Sequence, residues 1–165
     1  MDLNNGIFYE DLVVGDVQTS PGRTVTEADI VNFAGISGDF NVLHTDVEFA
    51  KNTPFGQRIA HGVLGLSIAS GLAARIPGTE QHKFIAFLGM TWNFRKPVFI
   101  GDTIHIVRTV ASKRPTKKPG LAVVVYEVKA INQRGEVCQE GEWNTMYLMR
   151  NPYAYDRLRI VPDSE

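Results

Sequence analysis

Apolar residues recur at helical spacing between positions 30 and 34. Thr26, a common N-cap residue, precedes them, and Asp29 stands three positions after it, as in a capping box. The pattern predicts a short amphipathic helix that ends at Gly35 or Gly38. A second short helix is expected to begin at Asp46 and to stop before the next proline.

Apolar residues between His61 and about Ile76 fall on more than one side of a helix and alternate with small residues. A helix of this kind must be buried nearly all round. Pro77 and Gly78 follow directly and are expected to end it.

The second half of the chain changes to β-branched and aromatic residues. Four strands are predicted, in the segments FIAFLGMTWNF, DTIHIVRTVAS, LAVVVYEVKAIN and EVCQEGEWNTMYLM. In the third, apolar positions alternate as in a sheet with one buried face, and NQRGE before the fourth predicts a hairpin turn. One antiparallel sheet cannot cover the long helix on every side, so we expect at least a dimer.

The chain has 165 residues, a length that favours one domain, residues 1–165. Its net charge of −1 provides no global basic field that would attract nucleic acid or a membrane surface. The single cysteine, Cys138, cannot form an intrachain disulfide, and the first residues lack a signal-peptide pattern. We therefore expect a cytoplasmic protein. The longest apolar stretch is too short and too rich in Gly and Ser for a membrane span.

The segment SGDFNVLHTD brings a carboxylate, an amide and an imidazole close together in sequence, as Asp39, Asn41 and His44. An acid–base pair of this kind can hold and activate a water molecule. However, Asp and Asn are also frequent in turns, and a loop His is often an ordinary hydrogen-bonded group. The spacing alone leaves both interpretations open.

Gly62 stands at the start of the predicted long helix, where free N–H groups and the helix dipole can stabilise an oxyanion. An equally simple interpretation is that Gly62 permits close packing and that His61 caps the helix. Neither is favoured by the residues alone.

Other chemistries find less support. His44, Asp46 and His61 lack the spacing of a metal site, Asp46 is better explained as a helix cap, and Cys138 as a packing residue in a strand. A glycine-rich phosphate loop and a Gly-x-Ser-x-Gly elbow are also missing from the sequence. A basic cluster between two predicted strands suits a solvated hairpin better than a phosphate site; it consists of Lys113, Arg114, Lys117 and Lys118.

Three segments occur in a familiar order: SGDFNVLHTD, FGQRIAHGVLGLS and FRKPVFIGDTI. With them the chain resembles the MaoC-like enoyl-CoA hydratases, the (R)-specific hydratase 2 group, from about Glu10 to about Met149. The Gly-Asp-x-Asn-x-x-His arrangement, followed by Ala-His-Gly at the start of a long apolar helix, is the most specific part of the resemblance.

The resemblance implies an α+β hot-dog fold, in which an antiparallel sheet wraps around a long helix, assembled as a homodimer or a dimer of dimers. It implies reversible addition of water across the 2,3 double bond of a 2-enoyl-CoA thioester, with no cofactor besides the coenzyme A of the substrate and no metal. Asp39 and His44 match the catalytic pair, Asn41 its supporting amide, and Gly62 the position whose N–H meets the thioester oxygen. Candidates for supporting these groups are Ser37, His61 and Ser67.

Phe40 and Leu43 are expected to keep bulk solvent from the pair. Val42 and Arg58 stand where the family often has proline, so these positions are expected to affect loop shape or substrate range. Two other functions stay open: an acyl-CoA thioesterase of the same fold, and a non-catalytic acyl-CoA-binding partner subunit, which would not need Asp39 and His44 together.

Overall fold

The computed structural model describes residues 6–150. Four α-helices lie in the first half of the chain: α1 (Glu27–Ser37), α2 (Val42–Thr45), α3 (Val47–Lys51) and α4 (Gly62–Ala73). Six strands follow the order β1 (Val17–Thr19), β2 (Arg23–Thr24), β3 (Phe84–Phe94), β4 (Thr103–Pro115), β5 (Leu121–Ile131) and β6 (Val137–Leu148). Two short 3-10 helices, Tyr9–Asp11 and Thr79–Gln81, complete the described elements.

The predicted cap of α1 is confirmed. The Thr26 side chain accepts a hydrogen bond from the Asp29 N–H, and the Asp29 carboxylate accepts one from the Thr26 N–H at 2.8 Å. The helix ends at Gly38, whose left-handed φ of 75° suits glycine. Asp46 caps α3 by accepting from the Phe49 N–H at 2.9 Å, as its position predicted.

The strands form one antiparallel sheet in the order β1-β4-β5-β6-β3, with β2 paired to β4 at one end. All four predicted strands are present, and the alternating burial of β5 confirms that one of its faces is turned to the core. The turn between β5 and β6 closes through a hydrogen bond from the Gly135 N–H to the Asn132 carbonyl at 3.0 Å. The two short strands β1 and β2 were not predicted, because two or three residues show no periodicity.

The core lies between the sheet and α4, which buries Leu64, Ile68 and Leu72. The opposite side of α4 is not covered by the described part of the same chain, since Val63 is 55 % exposed. This agrees with the expectation that one sheet cannot cover the helix on every side, and its enclosure by a second copy stays a prediction. Helix α4 ends at Ala73, three residues earlier than expected, although Ile76 is buried.

Strand β3 forms one edge of the sheet and pairs only with β6 among the described strands. It exposes an unusual number of large apolar side chains: Phe84, Ile85, Phe87, Leu88, Met90 and Phe94. An apolar edge strand with free backbone groups is a surface on which another chain can pair.

Between residues 6 and 150, the structure contains no helix that is both long enough and apolar enough to cross a membrane. Cys138 is buried in β6, as expected of a packing residue, and burial raises the pKa of its thiol. In the basic cluster, Lys113 and Arg114 lie on β4 rather than in the hairpin, and the Lys113 ammonium donates to the Tyr9 carbonyl at 3.0 Å.

Candidate active site

Asp39 lies in the connection between α1 and α2, held by its neighbours. Its N–H donates to Ser37 Oγ at 3.1 Å, and its Oδ1 accepts the Asn41 N–H at 3.1 Å. Asn41 Oδ1 in turn accepts the Leu43 N–H at 2.9 Å and so caps α2. Ser37 and Asn41 thus order the backbone on both sides of the Asp39 carboxylate.

The segment between α1 and α3 contains a helical turn, α2, which carries His44. His44 Nδ1 lies 2.8 Å from the Ile59 carbonyl oxygen. Because a carbonyl oxygen only accepts, Nδ1 carries the proton and the neutral ring keeps a lone pair on Nε2. His44 can therefore accept a proton or a hydrogen bond through Nε2.

His61 is 2 % exposed and contacts both Asp39 and His44. Its Nε2 donates to the Asp39 carbonyl oxygen at 2.9 Å, and its ring lies 3.8 Å from that of His44 between centroids. His61 is the N-cap residue of α4, as one interpretation of the sequence suggested, but its side chain makes no capping hydrogen bond. The buried His61 Nδ1 has no hydrogen-bond partner in the described chain.

Gly62 begins α4 and borders a cleft of about 330 Å³. A Cβ at this position would meet the Phe94 ring at 2.9 Å, so close packing does require glycine here. Its carbonyl accepts Gln139 Nε2 at 3.1 Å. The Gly62 N–H has no hydrogen-bond acceptor within residues 6–150, as expected for the first turn of a helix.

The cleft joins His44 and Gly62 in one site. Its lining includes Ile59, Phe94, Lys96 and Gln139. Sequence reasoning missed these residues, because each reaches the site by a contact between distant parts of the chain. The cations Arg95 and Lys96 also border it, although each is paired to a glutamate, at 2.9 Å and 2.7 Å.

Ligand atoms of Asp39, His44 and His61 all lie within 4.8 Å of one another. This set differs from the one suggested by the sequence, because Asp39 replaces the helix cap Asp46. Two nitrogens of the set, His44 Nδ1 and His61 Nε2, are already bonded to carbonyl oxygens. The expectation of a site without metal stays a prediction.

Several predicted residues lie elsewhere or play other structural roles. Ser67 is not brought to the cleft; its hydroxyl donates to the Val63 carbonyl at 2.9 Å and borders a separate cavity. Phe40 is 63 % exposed and so does not shield Asp39 within this chain. Val42 is the first residue of α2, where proline is also well tolerated, and Arg58 pairs with Glu27 at 2.9 Å.

Known proteins resemble this chain over most of its length. Residues 11–132 match the family model of the MaoC like domain. An (R)-specific enoyl-CoA hydratase of Rhodospirillum rubrum is 37 % identical over 140 residues, which cover 84 % of this chain and 90 % of that protein. A 3-hydroxybutyryl-CoA dehydratase of Methylorubrum extorquens is 37 % identical over 113 residues, or 68 % of this chain and 69 % of the other.

A solved structure extends the likeness to the whole fold. The protein Rv0216 of Mycobacterium tuberculosis, which has a double hotdog fold, superposes with a TM-score of 0.74 at 19 % identity. The match covers 100 % of this chain and 47 % of that one. At this identity the match concerns the fold alone, and it confirms the predicted α+β hot-dog architecture.

Proposed function

Because the chain belongs to the MaoC like domain family, we propose that it is a hydro-lyase that adds water reversibly across the 2,3 double bond of a 2-enoyl-CoA thioester, with (R) specificity. The relatives that support this proposal are a named enoyl-CoA hydratase and a named 3-hydroxybutyryl-CoA dehydratase. The reaction runs in both directions through one site, so these two names describe the same chemistry.

One observation carries the proposal: the hydrogen bond from His44 Nδ1 to the Ile59 carbonyl leaves the lone pair of Nε2 available, on a ring that has a nitrogen within 4.8 Å of an Asp39 carboxylate oxygen. A carboxylate and an imidazole acceptor at this spacing can hold one water between them. With Asp39 as the leading base, a proton leaves the water as its oxygen bonds to C3. The Asp39–His44 pair holds this proton and returns it to C2 on the same face, which gives syn addition.

Negative charge collects on the thioester oxygen while the enolate exists, and the start of α4 supplies the means to stabilise it. The Gly62 N–H borders the cleft and lacks an acceptor in the described chain, and the dipole of the 12-residue helix favours negative charge there. Acid–base groups typically contribute about 10²–10⁴-fold, so charge stabilisation must provide much of the remaining acceleration.

The proposal includes a homodimer formed along β3. This edge strand carries exposed apolar side chains, and an antiparallel pairing of two copies is self-complementary about a two-fold axis. Phe94 at the end of β3 also lines the cleft, so a second copy seated on β3 would border the site. A dimer of dimers and a cytoplasmic location stay predictions.

The test is hydration of crotonyl-CoA by the purified protein, measured as the loss of the absorbance of the enoyl thioester. Asp39→Asn keeps the shape of the side chain and removes the base, and His44→Ala removes the second holder of the water. Each substitution should lower kcat by at least about 100-fold while leaving the fold intact by circular dichroism. Asp46→Asn, which changes a helix cap outside the cleft, is the matched control.

Parent-like turnover by either variant would rule out this assignment. Release of free thiol without loss of the double bond would identify a thioesterase instead. Binding of enoyl-CoAs without any turnover would favour a non-catalytic partner subunit, against which the joint presence of Asp39 and His44 already counts.

A further inference from the structure

A second cavity, of about 320 Å³, lies between the C-terminal half of α4 and the sheet. Ser70 and Ala73 border it on the helix side, and Phe84 and Phe87 of β3 on another. No residue between positions 6 and 150 lines both this cavity and the cleft around His44. By the helical rise, Ser70 lies about 12 Å along α4 from Gly62.

A buried cation, Arg108, lines this cavity at 7 % exposure. Its Nε donates to Gln18 Oε1 at 2.7 Å and its Nη2 to Thr79 Oγ1 at 3.3 Å. Three of the five guanidinium N–H donors thus have no acceptor among residues 6–150. No carboxylate of residues 6–150 lies within 4.0 Å of it. A buried guanidinium without an anion is costly, because burial removes its hydration.

A second residue of the cavity wall has a buried donor without a hydrogen-bond partner among the described residues. Trp143 lines it at 5 % exposure, and its buried Nε1–H has no partner in the described chain. The indole N–H can only donate. Two buried donors on one cavity thus call for an acceptor.

Three other polar side chains of the cavity, those of His82, Tyr126 and Tyr147, bond one another and add no charge. The hydroxyls of Tyr126 and Tyr147 lie 2.9 Å apart, and His82 Nδ1 lies 2.9 Å from the Tyr147 hydroxyl. Burial, and then the positive charge of Arg108, lower the pKa of His82 to about 4. At neutral pH His82 is therefore uncharged, and Arg108 is the only charged side chain among the described residues that line the cavity.

We propose that this cavity binds a carboxylate group, paired with Arg108 and within reach of the Trp143 indole N–H. One guanidinium balances one negative charge, and its planar donors match the two oxygens of a carboxylate. A phosphate dianion would leave a negative charge uncompensated among the aromatic and alanine side chains of the wall.

The carboxylate has two possible sources. It is either the far end of the acyl group of the substrate, which rests on the hydratase function proposed above, or a free carboxylic acid. The first source makes Arg108 a determinant of substrate class, selecting enoyl thioesters that carry a second, terminal carboxylate.

The experiment compares pairs of 2-enoyl-CoAs of four to eight carbons that differ only in a terminal methyl or a terminal carboxylate. If the acyl group is the source, the parent should prefer the carboxylate member in kcat/KM by at least about 10-fold at one or more lengths. Arg108→Met should bring that ratio to within about two-fold, since it removes the charge at similar side-chain length. Arg114→Met, the same change at an exposed position of β4, is the control and should keep the ratio.

Calorimetric titration with hexanoate, against hexan-1-ol as the uncharged probe, tests the second source. One hexanoate per chain should bind to the parent and not to Arg108→Met, whereas hexan-1-ol should bind no differently to the two proteins. Trp143→Phe keeps a ring in the wall and removes the N–H donor, so it should weaken hexanoate binding or the substrate ratio several-fold. If Arg108→Met does not fold, Trp143→Phe tests whether the cavity binds a carboxylate.

The absence of both a carboxylate preference and hexanoate binding in the parent would overturn the proposal, as would a preference that survives Arg108→Met. If no enoyl-CoA is hydrated, only the proposed hydratase function is refuted, because the hexanoate titration measures carboxylate binding in the cavity independently of turnover.

Discussion

The imidazole rings of His44 and His61 lie 3.8 Å apart between centroids and 31° from parallel. Each donates one N–H to a backbone carbonyl of a different segment, His44 to Ile59 and His61 to Asp39. The stacked pair therefore joins the Asp39 segment to the start of α4. Since the proposed water lies between Asp39 and His44, the position of both groups depends on His61.

His61→Phe keeps a ring against His44 and removes the N–H that holds the Asp39 carbonyl. We expect kcat for crotonyl-CoA to fall by roughly 10- to 100-fold with a smaller change in KM, because misplacement of a catalytic group by about 1 Å is that costly. His61→Gln keeps an N–H donor and should retain more activity than the phenylalanine variant. Equal losses in both variants, or a fall in the melting temperature that accounts for the loss, would contradict this positioning role.

Gly62→Ala places a Cβ 2.9 Å from the Phe94 ring. Overpacking of this kind should cost about 1–3 kcal/mol of unfolding free energy and lower the activity, because the start of α4 shifts away from β3. The double variant Gly62→Ala/Phe94→Leu removes the ring and should recover much of the stability in urea unfolding.

Gly71→Ala is the matched control for that experiment. Gly71 lies in the same helix, and a Cβ there would meet nothing within 4 Å. Alanine should stabilise the helix by about 0.5–1 kcal/mol, the difference in helix propensity. A destabilised Gly71→Ala would show that the effect at Gly62 does not come from Phe94.

Leu88→Lys puts a charge in the middle of the exposed apolar edge formed by β3. A homodimer paired along this edge should dissociate, which sedimentation velocity would show as a shift from dimer to monomer. Val17→Lys makes the same change on β1, the opposite edge of the sheet, and should leave the dimer intact. If only Val17→Lys dissociates the assembly, the interface lies at β1 instead.

Asp102 ties the start of β4 to the β5–β6 turn. Burial alone would raise the pKa of this carboxyl, but hydrogen bonds from Arg134, the Phe99 N–H and Gln133 outweigh burial and lower the pKa. Asp102→Asn should therefore cost about 1–3 kcal/mol in unfolding free energy at pH 7.

The cost of Asp102→Asn should depend on pH in one direction. A carboxyl whose pKa is lowered by folding stabilises the protein above its unfolded value of about 3.9, and this contribution is lost as the pH falls through the folded pKa. The difference between parent and variant in urea unfolding should thus be smaller at pH 3 than at pH 7. Glu48→Gln, in an exposed pair with Lys51, should change stability by less than about 0.5 kcal/mol at either pH.

Much of the secondary structure could be predicted because its signals are local. The cap at Thr26 and Asp29, and the four long strands, depend on neighbouring residues and on a period of two. The helical turn α2 could not be predicted, since Val42–Thr45 is too short to show a helical period. Spacing alone singled out Asp39 and His44 but left their chemistry open, and a resemblance of motifs was needed to suggest it.

Amino-acid sequence by itself determined the helix and strand segments, the presence of an apolar helix that one sheet cannot cover, and the Asp39–His44 candidate pair. Tertiary structure alone decided which His44 nitrogen is free, because the partner of Nδ1 is the Ile59 carbonyl, and every residue has such a carbonyl. It likewise decided that Arg108 is buried without a carboxylate of the described chain beside it. Residues distant in sequence meet only when the sheet forms, and an arginine in a strand shows no local sign of what will face it.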